Sequence, residues 1–495
     1  MKRLNYAVLK EQGYEGFLLE NAPEKVLQFG EGGFLRAFVD YFFDMANEKH
    51  GFNGKVCLVQ PIPQGLTDMV NEQEGLYTLY LRGFQDGQTV NEKRVISAVS
   101  RCIDPYRDFD AFLACAKNKD LRYIVSNTTE AGIVYDEGSL FEQTPPVSFP
   151  AKLTRLLYER FLYFGSEKGK GFVILSCELI DDNGKELKKC VEKYIDQWQL
   201  GDEFRHWVEE ENLFCSSLVD RIVTGYPRNE ADKLNEENGY QETLIDTGEV
   251  FGAWVIEGPE ALAAELPFVD GELPVIVTPD HKPYKQRKVR ILNGAHTTMV
   301  LGAYLAGQDI VRNCMQDDVI RSYMNKAIHQ EIIPTLALPQ EELEAFASSV
   351  QERFANPFID HQLLAISLNS VSKWKARCMP SLKAYMEKFH VVPPCLAMGL
   401  ASLIAFYRGE RMEDGALIGR REAGNEYRIQ DDAKVLEFFL AHKDDEVPDL
   451  VWAVMSNVDF WGEDLTVLPG LYDTVCADLR CMLKLGAYAA MREVI

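Results

Sequence analysis

A lysine, an asparagine and a histidine lie close together in the stretch KVRILNGAHTT, which spans residues 288–298. They are Lys288, Asn293 and His296. On an α-helical repeat the apolar residues of this stretch form one stripe, with Lys288 near its middle and the amide and imidazole together on one flank. The stripe consists of Ile291, Leu292, Ala295 and Met299. A lysine in such a stripe is costly to keep charged, so it could exchange a proton with a substrate.

Together the three side chains could interconvert a carbonyl group and an alcohol. Lys288 would act as general acid and base, Asn293 would donate to an oxygen on which charge develops, and His296 would orient a hydroxyl. Neighbouring cations also favour a neutral lysine, and they are Lys282, Lys285, Arg287 and Arg290. The structural alternative is a lysine extended to solvent, a capping asparagine and a core histidine.

The helical spacing raises a geometric difficulty. Lys288 and His296 lie eight residues apart, about 12 Å along an ideal helix. Side chains on a helix also lean toward its N-terminus, which moves the lysine further away. If these residues share a site, the lysine must bend back or the helix must begin after it.

A glycine-rich turn follows the first apolar run, in the stretch FGEGGFLRAF at residues 29–38. Gly30 and Gly32 form G-x-G, which at a strand-to-helix turn lets bare backbone and a helix N-terminus meet a pyrophosphate. Leu35 stands where the usual fingerprint has its third glycine, and a plain glycine-rich turn is the alternative. The predicted cofactor-binding residues of this turn are Phe29, Gly30, Glu31, Gly32, Gly33, Phe34, Leu35 and Arg36.

Two further strand ends complete the predicted cofactor site. The second run ends at Gln60 rather than at the acid that reads ribose hydroxyls, and no cation for an extra phosphate follows until Arg82. The sequence therefore favours NAD over NADP. The stretch SNTTEAG at residues 126–132 places Asn127, Thr128 and Glu130 after another run, although a capped helix start would give the same spacing.

The elements that must position these residues change in character along the chain. Short runs rich in Val, Ile and Leu alternate with helical periodicities over about the first 280 residues, which predicts a doubly wound parallel sheet. These runs are EKVLQFG (24–30), KVCLVQP (55–61), LRYIVSN (121–127) and GFVILSCELI (171–180). Long helical periodicities follow. We predict an α/β fold, with a Rossmann-like NAD-binding domain at residues 1–280 and a mostly α-helical substrate domain at 281–495.

The composition of the chain argues against several classes of protein, among them nucleic-acid-binding, membrane and secreted proteins. The 495 residues carry a formal net charge of -24, which argues against nucleic acid and anionic membranes as partners. The longest apolar run, at 391–406, is short for a membrane span and opens with two prolines, and the N-terminus lacks a signal-peptide core. We therefore expect a cytoplasmic protein. The 11 cysteines include no C-x-x-C pair, so neither a disulfide framework nor a zinc site is expected.

Three motifs resemble those of one known family, the polyol-specific long-chain or mannitol dehydrogenases. The K-x(4)-N-x(2)-H pattern of Lys288, Asn293 and His296 matches its catalytic motif, and GEGGFLRAF is similar to its cofactor turn. FCSSLVDRIVTG (214–225) resembles its V-D-R-I signature, with Thr224 at a position usually held by Pro or Ser. The resemblance implies an NAD-dependent oxidoreductase that uses no metal.

Departures from the family pattern bear on the substrate. Lys285 stands where mannitol dehydrogenases carry a glutamate, and Ala365 stands where they carry an arginine eight residues before a substrate-binding lysine, if that lysine is Lys373. The extra charge at Lys285 suits the carboxylate of a small sugar acid. The resemblance also implies a second oxyanion-binding asparagine, for which Asn183 is the nearest candidate, and it leaves Asp220 and Arg221 a bracing role.

Other functions compete with this hypothesis. A different sugar-acid or polyol dehydrogenase of the same family would share all three motifs. A 3-hydroxyacid or 6-phosphogluconate type dehydrogenase also joins a Rossmann domain to a helical one, but its lysine precedes its asparagine by four residues rather than five. A non-enzymatic NAD-sensing protein would leave the set of Lys288, Asn293 and His296 without a purpose.

Overall fold

The computed structural model describes residues 1–129, 131–165, 167–269 and 271–495. The chain forms two compact units. Unit 1 comprises Met1–Arg82 and Val90–His281. Unit 2 comprises Gly83–Thr89 and Lys282–Ile495.

A parallel sheet of six strands organises unit 1. The first twelve strands of the chain are β1 (Glu24–Phe29), β2 (Lys55–Val59), β3 (Tyr77–Gln85), β4 (Gln88–Ile96), β5 (Val99–Ile103), β6 (Tyr123–Ser126), β7 (Val173–Ser176), β8 (Leu213–Cys215), β9 (Ser217–Asp220), β10 (Asp246–Glu249), β11 (Ala253–Glu257) and β12 (Val275–Thr278). Six of them pair in parallel in the order β5-β2-β1-β6-β7-β8. This is the doubly wound dinucleotide-binding order, and it confirms the predicted fold class.

The four apolar runs identified in the sequence are β1, β2, β6 and β7. All residues of β2, β6 and β7 are buried, because helices cover both faces of a parallel sheet. Two three-stranded sheets, β10-β3-β4 and β12-β11-β9, complete the strands of this part of the chain. The helices up to residue 281 are α1 (Tyr6–Glu11), α2 (Gly33–Ala37), α3 (Val39–Lys49), α4 (Thr67–Glu72), α5 (Phe109–Ala114), α6 (Phe149–Phe164), α7 (Asn183–Gln197), α8 (Asp202–Glu211), α9 (Ala231–Asn238) and α10 (Ala261–Glu265), with a 3-10 turn at Cys115–Lys117.

Residues 33–51, which the sequence presents as one helical segment, form two helices that separate at Phe38. Phe38 departs from helical geometry, with φ -122° and ψ -74°. The guanidinium of Arg221 donates to the carbonyl of Ala37 at 2.7 Å, an acceptor that a continuous helix would use internally. A side chain that takes a carbonyl out of the helical ladder is a known cause of a kink. The remote arginine therefore ends α2.

Helices dominate unit 2. They are α11 (Lys282–Arg287), α12 (Gly294–Leu305), α13 (Val311–Gln316), α14 (Asp318–Lys326), α15 (Gln340–Phe354), α16 (Leu363–Ile366), α17 (Ser370–Arg377), α18 (Met379–Phe389), α19 (Pro394–Phe406), α20 (Ala433–Ala441), α21 (Val447–Met455), α22 (Val458–Trp461), α23 (Leu471–Leu485) and α24 (Ala487–Glu493). The remaining elements are π-turns at Lys288–Asn293 and Ala327–Ile332, 3-10 turns at Ile333–Thr335 and Leu465–Val467, and the sheet of β13 (Gly409–Glu413), β14 (Ala416–Arg420) and β15 (Glu426–Ile429).

The core of unit 2 is built around α12 and α19. Both are buried on almost every side, which explains why their sequences are apolar around the whole circumference. They pack against each other, and α19 also packs against α23. No helix in the described part of the chain combines the length and apolar character that crossing a bilayer requires.

A buried polar network lies between α3 and the second sheet of unit 1. One oxygen of Asp40 lies 3.4 Å from the amide nitrogen of Gln28 and 3.4 Å from the hydroxyl of Tyr77. Burial raises the pKa of Asp40 to about 7. Burial also raises the pKa of Asp246, which lies 3.5 Å from Arg36, to about 6. At pH values between the unfolded and the folded pKa, the folded protein therefore holds protons on these carboxyls that the unfolded chain would release.

We expect Asp40→Asn to reduce the pH dependence of stability. The unfolded carboxyl has a pKa of about 3.9 and the folded one about 7, so the free energy of unfolding falls as pH rises through that window. The contribution of one such group is at most about 1.4 kcal/mol per pH unit. Urea unfolding from about pH 5 to pH 8 should give a shallower decline for the variant than for the wild type.

Asp68→Asn is the control, because Asp68 is exposed and its ion pair with Arg107 lowers rather than raises its pKa. Its unfolding free energy should follow the wild-type pH profile over this range. Parallel profiles for wild type and Asp40→Asn would contradict the assignment of a proton to Asp40.

Candidate functional site

The glycine turn between β1 and α2 exposes bare backbone. Gly30 has φ +124°, and a Cβ there would lie 3.0 Å from Leu35 and 3.2 Å from the carbonyl oxygen of Asn127. Gly32 has ordinary backbone angles, with φ -67°, and a Cβ there would meet nothing within 4 Å. The turn therefore needs glycine at Gly30 for its shape, while open space lies over Gly32. This arrangement at the carboxyl edge of the sheet fits the pyrophosphate of a dinucleotide.

Two of the predicted cofactor contacts are turned away from this open space. The guanidinium of Arg36 is buried and donates to the carbonyl of Glu31 at 3.1 Å and to that of Leu244 at 2.6 Å. The side chain of Leu35 is also buried. These two side chains support the turn from behind, and cofactor contact at Arg36 and Leu35 stays a prediction for their main-chain atoms.

The aromatic residues at the two ends of the turn, Phe29 and Phe34, differ in their exposure to solvent. Phe29 is fully buried and packs against Phe112 and Phe149, with ring centroids 5.9 and 4.9 Å away. Its predicted cofactor contact is therefore limited to main-chain atoms. Phe34 is partly exposed and stacks on Phe38 at 5.2 Å.

Gln60 and Glu31 organise the loop after β2. The buried amide of Gln60 donates to the carbonyls of Ile62 and Pro63 at 2.9 and 3.2 Å, and its oxygen accepts from Thr67. The carboxylate of Glu31 accepts from the backbone N–H of Leu66 at 3.2 Å. Burial raises the pKa of Glu31. Cofactor contact by these two side chains stays a prediction, and it would compete with these hydrogen bonds.

The loop after β6 is held by an acid that the sequence analysis missed. Glu178 is buried, and one of its oxygens accepts from both the backbone N–H and the hydroxyl of Thr128, each at 3.1 Å. Burial raises the pKa of Glu178. Asn127 donates to the carbonyl of Cys177 at 2.8 Å. The signal for Glu178 was its position two residues after the end of the buried strand β7. Glu130 lies outside the described residues.

Asn183 has a structural role, and its prediction as a substrate ligand would compete with four internal hydrogen bonds. Its amide nitrogen donates to the carbonyls of Glu178 and Ser217 at 2.9 and 3.0 Å. Its oxygen accepts from the backbone N–H groups of Gly184 and Ser217, both at 2.9 Å. Both amide protons and both oxygen lone pairs are therefore in use, and the side chain is buried.

One group of metal-ligand types comes together among the described residues: Asp182, Glu257 and His281. The ammonium of Lys185 lies 3.0 Å from Asp182 and 2.7 Å from Glu257, and His281 also bonds to Glu257. A lysine thus supplies the positive charge that these carboxylates need. We read the group as a network of ion pairs.

In unit 2, Lys288 and Asn293 are the first and last residues of a π-turn between α11 and α12. In an α-helix two residues five apart would point about 140° away from each other. A π-turn closes its hydrogen bond between residues i and i+5, which brings such residues onto one side. The α-helix that carries His296, α12, begins only at Gly294, after Lys288, which is one of the two alternatives that the spacing left open.

The apolar stripe is buried as predicted, but Lys288 does not belong to it. The buried residues are Ile291, Leu292, Ala295 and Met299. Lys288 is partly exposed instead. The π-turn changes the register between the lysine and the α-helix that follows, so the regular repeat placed Lys288 incorrectly.

His296 presents a nitrogen without a hydrogen-bond partner. Its ring stacks on Phe354, with centroids 3.9 Å apart and 11° between planes, and meets the ring of His361 edge-on at 5.5 Å. Its Nε2 is buried, and within the described chain no group bonds to it. Burial, followed by the nearby positive charges, holds the pKa of His296 well below its usual range. The imidazole is therefore neutral at neutral pH.

Cations surround this imidazole. The positive charges that lower the pKa of His296 belong to Arg353, Arg377 and Lys373. His361 would act in the same direction when protonated, but burial lowers the pKa of His361 itself. Lys373, which the sequence analysis predicts as a substrate ligand, lies on α17 and donates to the carbonyl of Ile366 at 2.8 Å. The fold thus brings Lys373 near His296. Lys285, the other predicted substrate ligand in this unit, is partly exposed on α11.

The four cations that flank Lys288 in the sequence, Lys282, Lys285, Arg287 and Arg290, form a basic run that is only partly available to a substrate. Arg287 is buried over the ring of Phe346, at 4.5 Å, and lies 3.5 Å from Glu342. Arg290 donates to the hydroxyl of Ser381 at 3.0 Å. Two of the four cations in the run therefore contribute to packing within unit 2.

Comparison with known proteins follows the same division of the chain. Residues 24–269 match the mannitol dehydrogenase Rossmann domain, and residues 280–483 match the mannitol dehydrogenase C-terminal domain. The resemblance inferred from the three motifs is confirmed.

Curated relatives match over nearly the whole chain. An altronate oxidoreductase of Yersinia pestis bv. Antiqua (strain Nepal516) is 46% identical over 95% of this chain and 96% of its own length. An altronate oxidoreductase of Klebsiella pneumoniae (strain 342) is 47% identical over 95% of this chain and 97% of its own length.

Two solved structures share the fold. A substrate-free D-sorbitol dehydrogenase superimposes with a TM-score of 0.78 at 22% identity, over 95% of each chain. A Pseudomonas fluorescens mannitol 2-dehydrogenase, in complex with NAD and D-mannitol, has a TM-score of 0.66 at 21% identity over 99% of each chain.

Gly32→Ala should separate cofactor binding from folding. The added methyl meets no protein atom, so the thermal unfolding temperature should stay at the wild-type value. If the turn binds a pyrophosphate, the methyl occupies its space, and the Kd for NADH should rise about tenfold or more. Fluorescence titration and thermal unfolding give the two quantities.

Gly30→Ala is the contrasting variant. Its backbone angle and close contacts oppose any side chain, so it should lose both stability and NADH affinity. A Gly32→Ala protein with wild-type NADH affinity would show that the cofactor binds elsewhere.

Proposed function

The chain belongs to the mannitol dehydrogenase family of NAD-dependent oxidoreductases, and from this premise we propose that it interconverts D-tagaturonate and D-altronate with NAD(H). Relatives of almost the same length carry the name altronate oxidoreductase. Oxidation of one altronate hydroxyl gives the ketone of tagaturonate, which is the reaction type that a lysine acid–base group serves. This reaction belongs to the breakdown of hexuronates.

The observation that carries the proposal is the environment of His296. An unpartnered, neutral imidazole nitrogen lies among cations, close in sequence to the π-turn that begins at Lys288 and ends at Asn293. A polar substrate with hydroxyl groups and a carboxylate would give the imidazole a hydrogen-bond partner and the cations a negative charge. An uncharged polyol would give only the hydrogen-bond partner.

In the proposed reaction NADH supplies the hydride that reduces the substrate ketone. The ammonium of Lys288 gives a proton to the ketone oxygen as the carbonyl carbon receives the hydride. Asn293 donates a hydrogen bond to the same oxygen while its negative charge develops. The neutral Nε2 of His296 bonds to a neighbouring hydroxyl and fixes its orientation. Lys288 then takes a proton from solvent, and altronate oxidation is the reverse sequence.

A second function within the family remains the alternative: a fructuronate/mannonate or mannitol type of dehydrogenase. The same lysine, asparagine and imidazole would serve each of these substrates. The cations around His296 favour the sugar acids over mannitol. An NAD-sensing role predicts no turnover at all, so a steady-state assay separates it from the enzyme functions.

A substrate and cofactor panel tests the proposal directly. D-tagaturonate should have a higher kcat/KM than fructose or tagatose. NADH should be preferred to NADPH, because no cation that could bind the extra phosphate follows Gln60 until Arg82. Raised salt should increase KM for the acid, because salt screens attraction between exposed charges, and at physiological ionic strength this already suppresses attraction beyond about 8 Å. NADH or NADPH absorbance gives the rates. A higher kcat/KM with fructose would reject the sugar-acid assignment.

Lys288→Ala should lower kcat by about 10²–10⁴-fold, the usual contribution of a positioned acid or base. NADH affinity should remain near wild type, because the glycine turn belongs to unit 1 and Lys288 to unit 2. Added primary amines should restore part of the rate. Lys375→Ala, on α17 of unit 2, is the control and should keep wild-type kcat. If Lys288→Ala retains more than about a tenth of wild-type kcat, the assignment is wrong.

A further inference from the structure

We infer that Arg377 binds the carboxylate of the substrate and thereby selects sugar acids over uncharged ketoses. The inference rests on the proposed function and assigns a specificity-determining residue to the same site. Lys285, whose charge first suggested an acidic substrate, would then have a secondary role.

The position of Arg377 follows from α17. Lys373 and Arg377 are four residues apart on this helix, so their side chains lie on one face, one turn from each other. The guanidinium of Arg377 donates to the hydroxyl of Thr297 at 3.3 Å, and Thr297 is the residue after His296. The carbonyl oxygen of Arg377 lies 3.4 Å from the position that a Cβ of Gly294 would occupy. Helix α17 therefore holds Arg377 against the first turn of α12.

The charge of Arg377 is not balanced by an ion pair. Its guanidinium is partly buried, and burial lowers its pKa. Within the described residues no carboxylate pairs with it, and the neutral hydroxyl of Thr297 is its hydrogen-bond partner. A partly buried cation without an anion is unfavourable. A substrate carboxylate would supply the missing negative charge.

Arg377 is a better candidate than the cations of the basic run. The guanidinium of Arg287 already lies 3.5 Å from Glu342, and Arg290 donates to Ser381. A guanidinium also presents several N–H groups in one plane, which matches the two oxygens of a carboxylate. Lys373, on the same face of α17, can add a point charge to the same anion. The guanidinium of Arg377 bonds to Thr297, the residue after His296, so the proposed anion site lies beside the imidazole, on which both charges act.

The test compares a charged and an uncharged substrate in Arg377→Ala and Arg377→Lys. Loss of a charge-assisted hydrogen bond of about 1.5–3 kcal/mol corresponds to a 10- to 150-fold loss. We expect Arg377→Ala to lose kcat/KM for D-tagaturonate by this factor, mainly through KM, with less than about a threefold change for fructose or tagatose. Arg377→Lys should retain an intermediate value, and added guanidinium ion should partly restore Arg377→Ala.

The matched control is Lys375→Ala. Lys375 lies on α17 two residues from Lys373, its ammonium is near Gly462, and its charge is not among those that lower the pKa of His296. The Lys375→Ala substitution removes one positive charge from the same helix. It should keep the wild-type ratio of the kcat/KM values for the acid and the ketose. If ketose turnover is too slow to measure, calorimetric affinities for D-altronate and uncharged altritol in the presence of NADH, with which these alcohols cannot react, give the same comparison.

If Arg377→Ala loses kcat/KM equally for the acid and for the ketose, Arg377 has a structural role and the inference is overturned. The inference is also overturned if kcat/KM falls for neither substrate. If Arg377→Ala does not fold, Thr297→Val keeps the test open, because it removes the anchor of the guanidinium and should impair the acid selectively. Wild-type enzyme that reduces another keto acid but not tagaturonate would refute the proposed substrate, and the Arg377 comparison would then use that acid.

Discussion

Two buried guanidinium groups hold the short helix on which the nucleotide turn depends. Arg36 donates to the carbonyl of Glu31 before α2, and Arg221 donates to the carbonyl of Ala37 at its end. A buried charge is tolerated only where hydrogen bonds replace water, so each arginine fixes the main chain that it contacts. Burial lowers the pKa of Arg221 to about 10, which still leaves it charged at neutral pH. The geometry of the turn is thus fixed by residues that need not touch a cofactor.

A backbone irregularity has the corresponding role in unit 2. The π-turn places Lys288 and Asn293 on one side and lets α12 continue into the core with its apolar residues buried. An uninterrupted α-helix could bury that apolar stripe, but it would point the lysine and the amide in different directions. One wide turn satisfies both the packing and the chemistry, which is consistent with the frequent occurrence of π-turns at functional sites.

The electrostatics of the site oppose those of the whole chain. The protein carries a net charge of -24, yet the charges that act on His296 are positive. Charges in a partly buried site are screened less than those on the surface, so local cations can determine which substrate binds while the acidic surface repels other polyanions. The neutral His296, stacked on Phe354, can then bind a hydroxyl beside a bound carboxylate.

The sequence alone determined the parallel sheet, the glycine turn and the spacing of Lys288, Asn293 and His296, because apolar runs and short motifs act locally. It could not show the break at the end of α2, the structural role of Asn183 or the position of Arg377. Each depends on a partner distant in the sequence: residue 221 contacts residue 37, residue 217 contacts residue 183, and residue 377 contacts residue 297. A polar side chain has the same appearance in a sequence whether its hydrogen bonds are already used or still available. Only the tertiary structure decides this, because it brings the partners together.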